Sequence, residues 1–184
     1  MNFNKSILKI DCKSEVNRIC AFINEQMRSM NRDGIVIGLS GGVDSAVSVA
    51  LSVKTVGKDK VLGLILPEKE SSLISAEYAI KQANKLAIRT ETVDITPILE
   101  AFGTYERRDA VARSVFPECK SNFKLKITLP LDLLSKDTYN FFTLTVINDE
   151  GEVRTCRLKN EQWRSIVAAT CSKHRTRMME QYYF

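Results

Sequence analysis

The amino-acid sequence predicts an α/β protein, a doubly wound parallel sheet with a small antiparallel β insertion. Between residues 11 and 93, short apolar runs alternate with helix-length segments in the order helix, strand, helix, strand, helix, strand. Strands separated by helices call for crossover connections and therefore a parallel sheet. Strict alternation of apolar and polar residues appears only later, around residues 120–158, and there it reads as antiparallel strands joined by a turn. The 184 residues, 44% of them apolar and 27% charged, are enough for one α/β domain with a hydrophobic core.

The first helix is expected over residues 11–30. Asp11 can cap its start, and Val16, Ile19, Ile23, Met27 and Met30 recur on one face. Asn31-Arg32-Asp33-Gly34 then marks a turn. Ile35-Val36-Ile37-Gly38-Leu39 reads as a buried strand, Ser40–Ser45 as a loop, and a helix begins near Asp44. Apolar residues from Ala46 to Val53 nearly encircle that helix, as suits one packed on a sheet, and Gly57 stops it. Val61–Leu66 is a second buried strand closed by Pro67. A polar loop from Glu68 to Ser72 leads to a helix near Ser75–Leu86, and Thr90–Val93 is the third strand, leaving through Asp94-Ile95-Thr96-Pro97.

Beyond Pro97 the pattern changes. Phe123, Leu125, Ile127 and Leu129 alternate with polar residues, as do Phe142, Leu144 and Val146. Asn148-Asp149-Glu150-Gly151 makes the turn, and Val153–Leu158 returns as the partner strand. A single long helix follows from Glu161 to about Tyr182, with Trp163, Ile166, Val167 and Thr170 on its buried face. His174, the lone histidine, and Trp163 read as an incidental helix residue and a core residue respectively. The chain as a whole, residues 1–184, reads as one domain.

Composition narrows the function classes. No apolar run approaches the roughly 20 residues that span a bilayer, and the first residues lack a signal-peptide pattern, so a cytoplasmic protein with no membrane partner is expected. Cys12, Cys20, Cys119, Cys156 and Cys171 are scattered, with no C-x-x-C spacing for a metal or a redox pair. The net charge of +5 is spread along the chain rather than clustered, which does not indicate a nucleic-acid partner.

The chemistry is concentrated between Gly38 and Ser45. Gly41 and Gly42 allow a sharp turn that aims backbone N–H groups inward. The helix beginning near Asp44 adds unpaired N–H groups and the positive end of its dipole. With the Ser40 and Ser45 hydroxyls, this makes a nest for phosphate oxygens, formed by Gly38, Leu39, Ser40, Gly41, Gly42, Val43, Asp44 and Ser45. Asp44 would repel a bare phosphate, so a cation between them is implied; Mg²⁺ is suited to one carboxylate plus phosphates. The loop lacks the Gly-Lys-Ser/Thr ending of a Walker A motif, which argues against ordinary γ-phosphoryl transfer.

The string Ser40-Gly41-Gly42-Val43-Asp44-Ser45 is similar to the loop of the ATP-pyrophosphatase superfamily, whose fold is Rossmann-like (adenine nucleotide alpha-hydrolase-like). Residues 33–39, 57–71 and Val93-Asp94-Ile95-Thr96-Pro97 resemble the ammonia-dependent NAD synthetases, as does Arg175-Thr176-Arg177-Met178 followed by Tyr182-Tyr183. The 120–158 insertion resembles a longer variant of that family. The resemblance implies a ligase that adenylates deamido-NAD with Mg-ATP and amidates it with free ammonia, giving NAD, AMP and pyrophosphate. It also implies Asp44 as a Mg²⁺ ligand, Arg175 as a contact to deamido-NAD, and a homodimer. Arg177 is a weaker candidate, suited to an internal salt bridge.

In the family a fourth core strand with a Gly-Thr-x-Asn-x-Ser-Glu stretch follows, then further substrate-binding residues; the sequence ends at Phe184 without them. A chain with half of an active site is therefore expected, either truncated at its C-terminus, the favoured reading, or genuinely short. Two other readings stay open: a tRNA-modifying relative in the same superfamily, and a non-catalytic adenine-nucleotide-binding remnant.

Overall fold

In the computed structural model, residue 4 and residues 8–117, 123–128, 141–148 and 150–184 are described. Leu129, Asp149 and Cys119, which enter the sequence readings above, lie outside them. The described chain falls into two compact units, Met1–Thr96 with Arg177–Phe184, and Pro97–Thr176.

The first unit opens with α1, Cys12–Ser29. Asp11 caps it as expected, its carboxylate accepting the N–H groups of Lys13 at 3.0 Å and Ser14 at 3.3 Å. Val16, Ile19, Ile23 and Met27 are half-buried, whereas Met30 is exposed. Met30 is the residue at which the helix ends, with the following Asn31 at φ +50°, so the chain has already left the helical face. β1 (Ile35–Gly38), β2 (Val61–Ile65) and β3 (Arg89–Thr92) form a parallel sheet in the order β1-β2-β3. The connecting helices are α2 (Val43–Val56) and α3 (Leu73–Leu86).

Strand periodicity divides the sheet residues between two faces. Ile37 and Leu39 from β1 and its extension, with Val61 and Ile65 from β2, pack against Val49 of α2 and Ala79 and Ala83 of α3. Gly63 belongs to this face, and a Cβ there would collide with Leu39 and press on Ile88, so the glycine lets these two side chains close over the strand. On the opposite face stand Leu64, fully buried, and Gly38, over which the Gln181 amide sits. The sheet is thus flanked on both sides, by α2 and α3 on one and by the C-terminal end of α6 (Asn160–Tyr183) on the other. This is the α/β arrangement with a parallel sheet expected of the sequence, its three described strands following one another in chain order.

The second unit holds the antiparallel sheet β4 (Lys124–Thr128), β5 (Thr143–Ile147) and β6 (Val153–Arg157), ordered β4-β5-β6. Leu144 and Val146 of β5 are buried with Ala112, Phe116, Leu158 and Ile166, and Trp163 stacks on Phe142 at 4.7 Å. Trp163 is accordingly a packing residue. Two helices not expected from sequence, α4 (Thr96–Ala101) and α5 (Thr104–Val115), precede the sheet. Asp94 initiates α4 by accepting the Thr96 N–H and hydroxyl, and these bonds hold its carboxyl below the usual carboxylate range. In α6 the buried face is Ile166, Ala169 and Thr176; Thr170 is exposed, one position off the expected stripe.

Candidate nucleotide site

The Ser40–Ser45 segment leaves the carboxyl end of β1 and enters α2, at the edge of an α/β sheet where ligands bind. The Leu39 N–H donates to the Leu64 carbonyl at 2.7 Å, tying the last residue before the loop to β2. Gly41 then takes φ +76°, with its Cα against the Ser75 carbonyl, where any Cβ would overlap. Only glycine meets both demands.

The two serines shape the loop from within. The Ser45 hydroxyl donates to the Gly42 carbonyl at 2.9 Å and accepts from the Ser40 N–H at 3.3 Å. The Ser40 hydroxyl donates to Ser45 Oγ at 3.1 Å and accepts from the Gly42 N–H at 3.3 Å. Hence both hydroxyls, expected from sequence as free donors, are first of all the loop's own braces. A phosphate oxygen is offered backbone instead. The first intrahelical bond is Ala46 N–H to the Gly42 carbonyl at 3.1 Å. The N–H groups of Gly41, Val43 and Asp44 have no partner among the described residues, as helix geometry requires of a first turn.

Asp44 is exposed in that turn, with no ion-pair partner among the described residues. Among these residues no group of three or more His, Cys, Asp or Glu side chains is placed to enclose a metal. One free carboxylate beside unpaired N–H groups fits Mg²⁺ carried in on phosphates, since that ion keeps most of its shell from water and phosphate. Asp44, of the chain's residues, would hold it; bound there, the ion would neutralise phosphate charge.

A cleft of about 280 Å³ opens beside the loop, between Gly41–Val43 on one side and Tyr78, Lys81, Gln82 and Lys85 of α3 on the other. These α3 residues were not singled out from sequence, although 78, 81, 82 and 85 follow helical spacing along one face. Glu68, taken from sequence as part of a polar loop, is buried, and its carboxylate accepts the Glu70 N–H at 3.1 Å.

Arg175 lies exposed on α6 within the second unit, and the loop lies in the first. Arg177 belongs to the first unit and donates Nε to the Leu66 carbonyl at 3.1 Å, beyond the end of β2. From sequence it is a weaker candidate for substrate or an internal salt bridge; the structure shows this backbone bond. His174 is exposed on α6, and the described cysteines Cys12, Cys20, Cys156 and Cys171 are free.

Comparison with known proteins shows the chain's kinship. The NAD synthase family model matches residues 15–141. The chain is 39% identical over 181 residues to an NH(3)-dependent NAD(+) synthetase of Rhizobium meliloti, covering 98% of this chain and 54% of that protein. A namesake from Mesorhizobium japonicum is 39% identical over 178 residues, covering 96% and 56%. One from Methanocaldococcus jannaschii is 51% identical over 88 residues, covering 48% and 34%. The chain thus spans about half the length of the curated relatives it matches. No described helix is long and apolar enough to cross a membrane. Loop, sheet and sequence kinship together place the chain in the NAD synthase family.

Proposed function

We propose that this chain contributes the ATP-handling half of an ammonia-dependent NAD synthetase. The supporting observation is the Ser40–Ser45 loop, with unpaired N–H groups of Gly41, Val43 and Asp44 at the start of α2 and the Asp44 carboxylate beside them. A carboxylate oxygen of deamido-NAD attacks the α-phosphorus of ATP; the new O–P bond forms as the bond to the bridging oxygen breaks and pyrophosphate departs. Ammonia then attacks the acyl carbon, the C–N bond forms, a proton is lost, and AMP leaves with the former carboxylate oxygen.

In this reading the loop's N–H groups hold the β- and γ-phosphates and receive the charge that builds on the departing pyrophosphate. The fixed backbone needs no reorganisation to do so, because the serine braces and the Gly41 turn set its shape before the nucleotide arrives. Arg175 is the proposed contact to deamido-NAD, a guanidinium being matched to phosphate. The protein is proposed to be a homodimer in the cytoplasm, acting on small molecules.

Chromatography of nucleotides after incubating the chain with Mg-ATP, deamido-NAD and ammonium tests the proposal. NAD and AMP in equal amounts support it for the 184 residues alone. If ATP neither binds nor turns over, with or without the matching remainder of a relative, the reading is wrong.

A further inference from the structure

The second unit contains a cavity that the chemistry above does not use. It measures about 640 Å³, and its described lining includes Phe141, Phe142, Arg157, Lys159, Asn160 and Trp163. That is the size of a small-molecule site, and its described lining holds two cations and no carboxylate. The antiparallel sheet places these side chains. The Leu158 N–H donates to the Phe142 carbonyl at 3.0 Å, which carries the β5–β6 register one step past the strands. Leu158 is buried, so strand alternation turns Arg157 and Lys159 together to the other side, where both are exposed.

Aromatic contacts shape the walls. The Arg157 guanidinium lies over the Phe141 ring, which covers one face of the fork and leaves its N–H edge free. Trp163 stacks on Phe142 with the ring planes 18° apart, yet it is only half-buried and borders the cavity. Arg157 and Lys159 have no ion-pair partner among the described residues, and the Asn160 amide makes no bond there. The strand register puts Lys124 and Lys126 of β4 on the same outward face as Arg157, and no position on that face is acidic. Folding thus gathers cations that the sequence spreads apart, and their field favours an anion.

We propose that this cavity binds a purine nucleoside monophosphate. The base would stack on the Trp163 indole with the Asn160 amide at its edge, where that group can both donate and accept. The phosphate would lie between Arg157 and Lys159, a guanidinium fork and an ammonium being matched to a dianion. An uncharged ring would leave both cations unpaired, and a phosphate alone would leave the aromatic wall unused. The site uses no residue of the Ser40–Ser45 loop, so it does not depend on the NAD synthetase reading. It gives the β insertion a ligand of its own.

Trp163 is the chain's single tryptophan, so its fluorescence reports on this cavity directly. Titrating the purified chain with AMP, and separately with GMP, should quench it saturably, with a dissociation constant below about 1 mM for at least one of them. The matching nucleoside and inorganic phosphate should each bind at least about tenfold more weakly. Arg157→Gln should weaken the nucleotide at least about tenfold while circular dichroism stays native, because Arg157 is exposed. Lys159→Gln carries the same test if the first variant does not fold. Asp44→Ala, in the other unit, should leave the titration unaltered. Absence of a saturable quench with both nucleotides overturns the inference, as does a nucleoside that binds as tightly as its monophosphate. Unchanged affinity in the folded Arg157 and Lys159 variants also overturns it. Loss of the quench in Asp44→Ala would place the nucleotide at the Ser40–Ser45 loop and overturn it too. None of these titrations involves ATP or deamido-NAD, so the NAD synthetase reading stands or falls on its own experiment.

Discussion

At the Ser40–Ser45 loop, two residues carry most of the testable chemistry. Asp44 is exposed and braces nothing in the loop, so Asp44→Ala should leave the thermal midpoint unchanged. If it holds Mg²⁺, pyrophosphate release in the assembled enzyme should fall on the order of a hundredfold; full activity in the variant would remove it from the mechanism. Gly41 is different, because φ +76° and the Ser75 carbonyl both exclude a side chain. Gly41→Ala should destabilise by about 2 kcal/mol and weaken ATP binding, and an unchanged denaturation midpoint would contradict that geometry. Arg175→Ala should raise the deamido-NAD requirement about tenfold or more with ATP affinity nearly intact; equal losses in both titrations would mark a structural arginine. The loop's identity was readable because six consecutive residues carry it. The bracing of Ser40 by Ser45 was not, because which serine lone pairs remain free depends on backbone turns that a string does not specify.

Among the elements, α3 shows where local rules are strained. It ends on Ala87 at φ +52°, a left-handed conformation usually given to glycine. Ala87 is exposed and its N–H is already bonded to the preceding turn, so Ala87→Gly should stabilise the protein by about 1 kcal/mol. A lower midpoint in chemical denaturation would show that the added backbone freedom of the unfolded chain outweighs the relief. Helices α1 and α2 and strands β1 and β2 were legible because their apolar runs or stripes are strong, with Asp11 and Gly57 at the expected helix ends. α4 and α5 were missed. Thr-Tyr-Glu-Arg-Arg-Asp within α5 is largely polar, and its buried residues Thr104 and Tyr105 break the apolar stripe that announces a helix.

The whole molecule comprises two compact units with separate hydrophobic clusters. Its proposed homodimer is checked by sedimentation of the chain at micromolar concentration, where a dimer is expected and a clean monomer at all concentrations would exclude it for these 184 residues. Sequence by itself determined the α/β class, the Ser40–Ser45 loop between β1 and α2 and the family, because each rests on residues adjacent in the chain or on short periodicities. Tertiary structure decided what depends on residues far apart: the Lys81 and Lys85 wall of the loop's cleft, the anchoring of Arg177 on Leu66, and the pairing of β1 with β2 alone among the described strands. An apolar strand reads the same in sequence whether it has one neighbour or two, and only the pairing of the folded chain shows which side is left open.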